Sequence, residues 1–301
     1  MRVSKDGKKL DIVCTGFRHP LGLTVSPTGI MTGADQEGNW MPATRIDQYK
    51  PGGFYGDMRA HHRAVLPKTY DPPLCWLPRE MDNSAASQVW VTSDKFGPLQ
   101  GHLLHLSYGR CRAMLLMRQQ VGDIVQGGAV DLGWPTFLAG CARGRFHPHD
   151  GHLYIVGLNG WQTAARKDGC LQRVRYNGGK LRLPIALRVE ADALCLTFSE
   201  RLDPRTVADP SRFLLEQWNY RWSGDYGSRR WSVANPNKQG QDRVPIRAIT
   251  LLDDACTVKL HIPGLKPVMQ MELSYRVPAA DGSEMKGVIY STVNKVPGKD
   301  E

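Results

Sequence analysis

Arg18 stands in Gly16-Phe17-Arg18-His19-Pro20-Leu21-Gly22-Leu23, between a glycine that frees the backbone and a proline that fixes it. A guanidinium held at a set exit angle can grip a carboxylate through two parallel hydrogen bonds. The same placing suits an arginine that caps carbonyls at a turn between sheets. Two histidine groups raise the question of a metal. His147-x-His149-x-x-His152 straddles a turn, so its rings need not converge, and the adjacent His61 and His62 point apart on an extended chain. Both groups read as surface or turn histidines. Asp82-Asn83-Ser84 before one strand and Asp94 after another can serve acid–base chemistry, or ordinary turn formation. Trp218, Tyr220, Trp222, Tyr226 and Trp231 can cover a sugar face, or pack against the first half of the chain.

The elements that must position these groups are short strands. Leu10–Thr15, Gly22–Val25, Ile30–Thr32, Gln88–Thr92, His102–Leu106, Arg112–Met117, Arg145–Phe146, His152–Val156 and Cys170–Tyr176 are apolar runs separated by glycine and proline turns. Leu23-Thr24-Val25-Ser26-Pro27-Thr28-Gly29-Ile30 and Arg145-Phe146-His147-Pro148-His149-Asp150-Gly151-His152 repeat one pattern: strand, proline–glycine turn, strand. Such a repeat predicts an all-β fold in which residues 1–178 form a partial β-propeller of about three four-stranded blades. The pattern shifts near Gly178. Residues 183–295 read as a separate Ig-like β-sandwich with period-two strands, interrupted by a long loop over 218–242.

The chain of 301 residues carries a net charge of +10, spread without any run of five like charges, which argues against a nucleic-acid-binding tail. Seven cysteines contain no C-x-x-C, which removes zinc-ribbon, thioredoxin-like and haem-attachment readings; most read as small buried apolar residues. The polar start, Met1 to Lys9, has no apolar segment of the signal-peptide kind, and no window reaches about 18 apolar residues, so no membrane span is expected.

Gly16 to Leu23, the following Pro27-x-Gly29 turn and Asp35-Gln36-Glu37-Gly38-Asn39-Trp40 resemble the quinoprotein glucose/sorbosone dehydrogenase propellers. Lys50-Pro51-Gly52-Gly53-Phe54-Tyr55-Gly56, Tyr70-Asp71-Pro72-Pro73-Leu74-Cys75-Trp76, Gln88-Val89-Trp90-Val91-Thr92-Ser93-Asp94-Lys95 and Gly157-Leu158-Asn159-Gly160-Trp161-Gln162 are similar, more narrowly, to large extracytoplasmic propeller proteins of planctomycete-type bacteria, often joined to a haem-binding cytochrome domain. The resemblance implies pyrroloquinoline quinone (PQQ) held by Arg18, Lys95, Arg143 and Arg145, converging on one axial cleft, since charge-assisted pairs suit a tricarboxylate. His19 stands where an asparagine is common. A calcium loop would fall at Gln36, Glu37 and Gly38. Arg143 and Arg145 also read as solvated neighbours on one strand face. The family's catalytic histidine belongs to a blade for which this chain has no counterpart. The resemblance therefore implies an N-terminally incomplete, oxidoreductase-like copy, inactive alone, whose partners are the remaining blades or a cytochrome-type domain and a sugar or polysaccharide. The alternative is a non-catalytic carbohydrate- or protein-binding module of the cell envelope.

Overall fold

Turn residues cut the first half into antiparallel meanders. After a small hairpin of β1 (Arg2–Val3) and β2 (Leu10–Asp11) come β3 (Pro20–Val25), β4 (Met31–Asp35), β5 (Thr44–Tyr49) and β6 (Cys75–Leu77), hydrogen-bonded in that order. A second meander contains β7 (Ala85–Trp90), β8 (Leu103–Ser107), β9 (Arg112–Val121) and β10 (Ile124–Asp131); a third contains β11 (Gly140–Phe146), β12 (Leu153–Leu158) and β13 (Gly169–Val174). The computed structural model describes residues 1–298. Helix among them is confined to 3-10 turns at Met58–Ala60, Asp94–Leu99 and Pro210–Arg212.

Strand β7 packs against both β3 and β11, so the first strands of the three meanders stand side by side, as inner strands of propeller blades do. Gly22 permits the first contact: at φ +77° it has no side chain, and a Cβ there would collide with the Ala86 carbonyl and Ser87 Cα. The all-β arc of about three blades is as expected. Four strands per blade is corrected for the third, which has three, because Asn177-Gly178 turns the chain away into the next sheet.

That sheet is β14 (Pro184–Glu190), β15 (Ala193–Phe198), β19 (Thr257–His261) and β18 (Ala248–Leu251), in this order. Its counterpart is β17 (Asp242–Val244), β16 (Phe213–Trp218), β20 (Val268–Pro278) and β21 (Glu284–Val293). Lettered in chain order from β14, the two sheets are A-B-E-D and C′-C-F-G, an immunoglobulin-type arrangement. The sandwich strands begin at Pro184, after the third meander ends at Val174, and the sandwich is joined to the blades by strand pairing. Gly127, Gly128, Ala129 and Val130 of β10 pair with Thr292, Ser291, Tyr290 and Ile289 of β21, giving one continuous eight-stranded sheet. The outer edge of the second blade would otherwise present unpaired N–H and C=O groups. One apolar core accordingly runs from Val89 and Leu115 through Leu187 and Leu196 to Leu273 and Ile289.

The first blade carries buried charge. Arg45 and Asp47 alternate on β5 and are both fully buried; Arg45 Nε lies 2.9 Å from Asp47 Oδ2 and Nη2 2.6 Å from Oδ1. The remaining guanidinium donors reach the carbonyls of Tyr55 (2.8 Å) and Asp71 (2.7 Å), which lie in the 50–73 loop. Tyr55, Tyr70 and Trp76 surround the cation at 5.1–5.5 Å. The loop thus folds over the blade face because it completes the coordination of a charge that water cannot reach.

Burial pushes the Asp47 carboxyl up to about 6, against the pull of Arg45. The folded state then holds this proton to about pH 6, whereas the unfolded chain releases it near 3.8. The contribution of this group to stability is full below the lower value and lost as pH rises through the upper one. Asp47→Asn strands the buried cation and should cost about 3–5 kcal/mol. Guanidinium unfolding across this pH interval should also show that the Asp47-dependent decline of the parent chain is missing in the variant; an unchanged midpoint at neutral pH would refute the buried pair.

Candidate functional site

The inner strands begin at one common end of the arc, and there a cleft of about 630 Å³ opens between the blades. It is lined by His19 and Leu21 of the first blade, Gln36 just after β4, Ser84 and Ala86 at the start of β7, Tyr108, Arg143 of β11, Leu158 of β12 and Trp161.

Asp35 positions the first-blade side. Its buried carboxylate accepts the backbone N–H groups of Arg18 (2.7 Å), His19 (2.7 Å) and Gln36 (2.8 Å), so one side chain fixes the direction in which both His19 and Gln36 leave the backbone. Burial raises the Asp35 carboxyl above the usual carboxylate range, opposed by those N–H groups and by Arg45. Gln36 Nε2 then donates to the Ala85 carbonyl at 3.2 Å and ties the first blade to the second.

Trp161 is 81% exposed at the mouth of the cleft. Its loop is held from both sides: Asn159 Oδ1 accepts from Gly160 N and Thr163 Oγ1 (both 2.8 Å), and Asn83 Nδ2 donates to the Gln162 carbonyl (3.1 Å). Arg143 is exposed, and its guanidinium donates to the neighbouring Ala142 carbonyl at 2.8 Å; Arg145 behaves likewise toward Gly144 (2.7 Å). No acid lies within ion-pair distance of either among the described residues. The ladder places Arg143 beside Val156 and Leu171, and Arg145 beside Tyr154 and Arg173.

The other expected groups lie elsewhere. The Arg18 guanidinium sits over the Tyr226 ring at 5.2 Å and beside Gly38, and Arg18 is not among the residues that line the cleft. Lys95 Nζ lies 3.4 Å from the carbonyls of His149 and Asp150, beyond the opposite end of β7, whose six residues span about 20 Å. The four cations therefore do not converge, which corrects that expectation: inner strands of equivalent blades bring together only residues at equivalent ends. The tricarboxylate grip implied for PQQ does not fit as a set. Nor does the calcium loop: Glu37 is paired with Arg79 at 3.0 Å, Gly38 exchanges backbone bonds with Met41, and Gln36 faces the cleft. Among the described residues no three histidine, cysteine or acidic side chains are grouped to hold a metal, the cluster at His147, His149 and His152 included.

Asp82 is not available for acid–base work. It is fully buried, 2.6 Å from both His105 Nε2 and Ser107 Oγ, and it caps the turn through Ser84 N at 3.0 Å. His105 in turn contacts Gln88, so the network locks β7 and β8 together. The aromatic loop over 218–242 packs on the first blade. Trp222 Nε1 donates to the Gly56 carbonyl (2.9 Å) and its ring meets Trp40 at 5.2 Å, while Trp218 and Tyr220 are buried. Asp35, Tyr108 and Trp161 were not singled out from sequence as site residues. The first two look like a strand end and a turn, and only the Gly157–Gln162 motif contained a signal for the third.

No protein-family model matches the chain, and no curated protein matches it. Similar solved structures include a glucose dehydrogenase (19% identity, TM-score 0.38, covering 58% of this chain and 49% of that one) and a second glucose dehydrogenase (19%, TM-score 0.41, 58% and 50%). The soluble aldose sugar dehydrogenase from Escherichia coli in its apo-form is a third (15%, TM-score 0.36, 58% and 50%). The chain spans about half the length of these structures. No helix among the described residues is long and apolar enough to cross a membrane.

Asp35→Ala removes the acceptor shared by three N–H groups. It should cost about 2–4 kcal/mol, as expected for stranded donors, and should broaden the amide resonances of His19 and Gln36, with Asp35→Asn milder. Unchanged resonances at both positions would remove Asp35 from its positioning role.

Proposed function

We propose that the axial cleft binds the ring of a sugar and that this chain, by itself, does not oxidise it. The observation that carries this reading is the company of Trp161: an exposed indole beside Leu158, faced by His19, Gln36, Ser84 and Arg143. An apolar platform with a few converging hydrogen-bonding groups suits a pyranose, which has an apolar face and a polar rim. The resemblance of the Gly16–Leu23 and Asp35–Trp40 motifs to sugar dehydrogenase propellers supports the same ligand class. So does the alternative expectation of a carbohydrate-binding module, and an extracytoplasmic location belongs to this reading.

Two features support the absence of turnover. Arg18 and Lys95, which a quinone tricarboxylate would need, are engaged away from the cleft. Among the described residues that line the cleft there is a single histidine, His19, and no acid is bonded to its ring to orient it as a base.

Tryptophan fluorescence of the 301-residue chain, titrated with glucose and other aldoses, should show saturable binding. Trp161→Ala should weaken it about tenfold, equivalent to about 1.4 kcal/mol, without altering the thermal midpoint. Dye reduction with glucose, PQQ and calcium should stay at background. Equal affinity in the variant would refute the sugar platform, and robust dye reduction would refute the non-catalytic reading.

A further inference from the structure

The cleft beside Trp161 has an electrostatic sign. Among the described residues that line it there is an arginine, Arg143, and no aspartate or glutamate. The acids of the adjoining segments are engaged: Asp35 collects three backbone N–H groups, Asp82 holds His105 and Ser107, and Glu37 pairs with Arg79. The loop that carries Trp161 adds Arg166, Lys167 and Asp168, again with cations in excess. The acceptors that face the cleft, on Gln36, Ser84 and Tyr108, are uncharged.

A bulge places Arg143 there. The ladder between β11 and β12 pairs Cys141 with Gly157 and then Arg143 with Val156, so Ala142 is an extra residue. Consecutive residues of a regular strand point to opposite faces, whereas here Ala142 and Arg143 both line the cleft. The Arg143 guanidinium spends an N–H of Nη1 on the Ala142 carbonyl, at 2.8 Å, and meets no acid among the described residues. Its remaining donors form a planar fork, the shape that matches a carboxylate. Arg145 bonds the Gly144 carbonyl and is not among the lining residues, so one guanidinium alone serves the cleft.

We propose that the sugar of this cleft is an acidic one, a hexuronic acid or a glycan residue of that class, with its ring on Trp161 and its carboxylate on Arg143. The proposal rests on the sugar reading of the cleft and adds the specificity of that site. A hexose and the matching hexuronate share one ring and differ only in the exocyclic group, a neutral CH2OH against a carboxylate. Opposite an unpaired guanidinium the hydroxyl accepts a hydrogen bond and leaves the charge unmatched, whereas the carboxylate accepts two and neutralises it. A single cation also suits a monoanion better than a sugar phosphate, whose second charge would find no partner in the cleft.

Tryptophan fluorescence of the 301-residue chain should be titrated at fixed ionic strength with glucose, glucuronate, glucose 6-phosphate and acetate. Glucuronate should bind about five- to tenfold more tightly than glucose in about 0.05 M NaCl, and the preference should shrink in about 0.5 M. Arg143→Gln should abolish the preference and Arg143→Lys should keep part of it, both with the parent's thermal midpoint, since the side chain is exposed. Arg175→Gln, at an exposed position outside the cleft, should keep the preference in full. Equal binding of glucose and glucuronate by the parent chain would overturn this proposal and leave the sugar reading intact; binding of neither would overturn both. Acetate matching glucuronate, glucose 6-phosphate exceeding it, or a preference that survives in Arg143→Gln would each overturn the assignment of an acidic sugar to Arg143.

Discussion

The ladder between β10 and β21 is the interaction on which the rest of the architecture depends. A four-stranded blade normally ends in an edge strand, and here that edge is occupied by the last strand of the sandwich. The pairing turns two ordinary folds into one sheet and one core. It also explains the glycines of β10. A Cβ on Gly127 would strike the Met117 carbonyl and one on Gly128 would press on Ser291, so β10 is tightly held between neighbours on both sides. From that anchored sheet the sandwich reaches back to the first blade: Thr292 Oγ1 accepts from Trp76 N at 2.9 Å, and Asn294 Nδ2 donates to the Pro73 carbonyl at 2.7 Å.

Charge burial in the first blade and the shape of the cleft are connected. Arg45, Asp47 and Asp35 lie within the same low-dielectric region, where each partner's field is strong. Asp35 faces the N–H groups that set His19 and Gln36, and Arg45 supports the carboxylate from behind. The cleft is thus fixed on the side where a carboxylate collects the backbone, whereas on the other side Trp161 is exposed and the Arg143 guanidinium donates to the neighbouring Ala142 carbonyl.

The all-β class, the repeated meanders and the immunoglobulin-type arrangement were legible because turns and alternation are local. Several strands were not, three of them in the first two blades. Thr44-Arg45-Ile46-Asp47-Gln48-Tyr49 reads as polar because its buried face carries an ion pair, which period-two patterning scores as solvent-facing. Cys75–Leu77 is short and follows prolines, and Ile124–Asp131 is diluted by Gly127 and Gly128. The merger of blade and sandwich was illegible for another reason: it is a pairing between distant segments, and no local signal specifies an edge's partner. Of the residues named from the motifs, Arg143, His19 and Gln36 line the cleft, whereas Arg18 and Lys95 lie elsewhere. A motif fixes where a residue sits on a strand, while the loop beside it decides where the side chain goes, as Tyr226 does for Arg18.

The same ladder sets a timetable for synthesis. Gly127 waits for Thr292, 165 residues later in the chain. Ribosomes add about 5–20 residues per second, so the second blade spends on the order of 10 s with a bare edge after its own four strands are complete. Contacts at such sequence separation slow folding and leave the edge open to stray pairing. Its glycines make β10 a poor aggregation template on its own, since they offer little side-chain surface to a foreign strand. A nascent chain of this design is therefore most exposed to misassembly late, just before its final hairpin emerges, and holding chaperones would act on it in that interval.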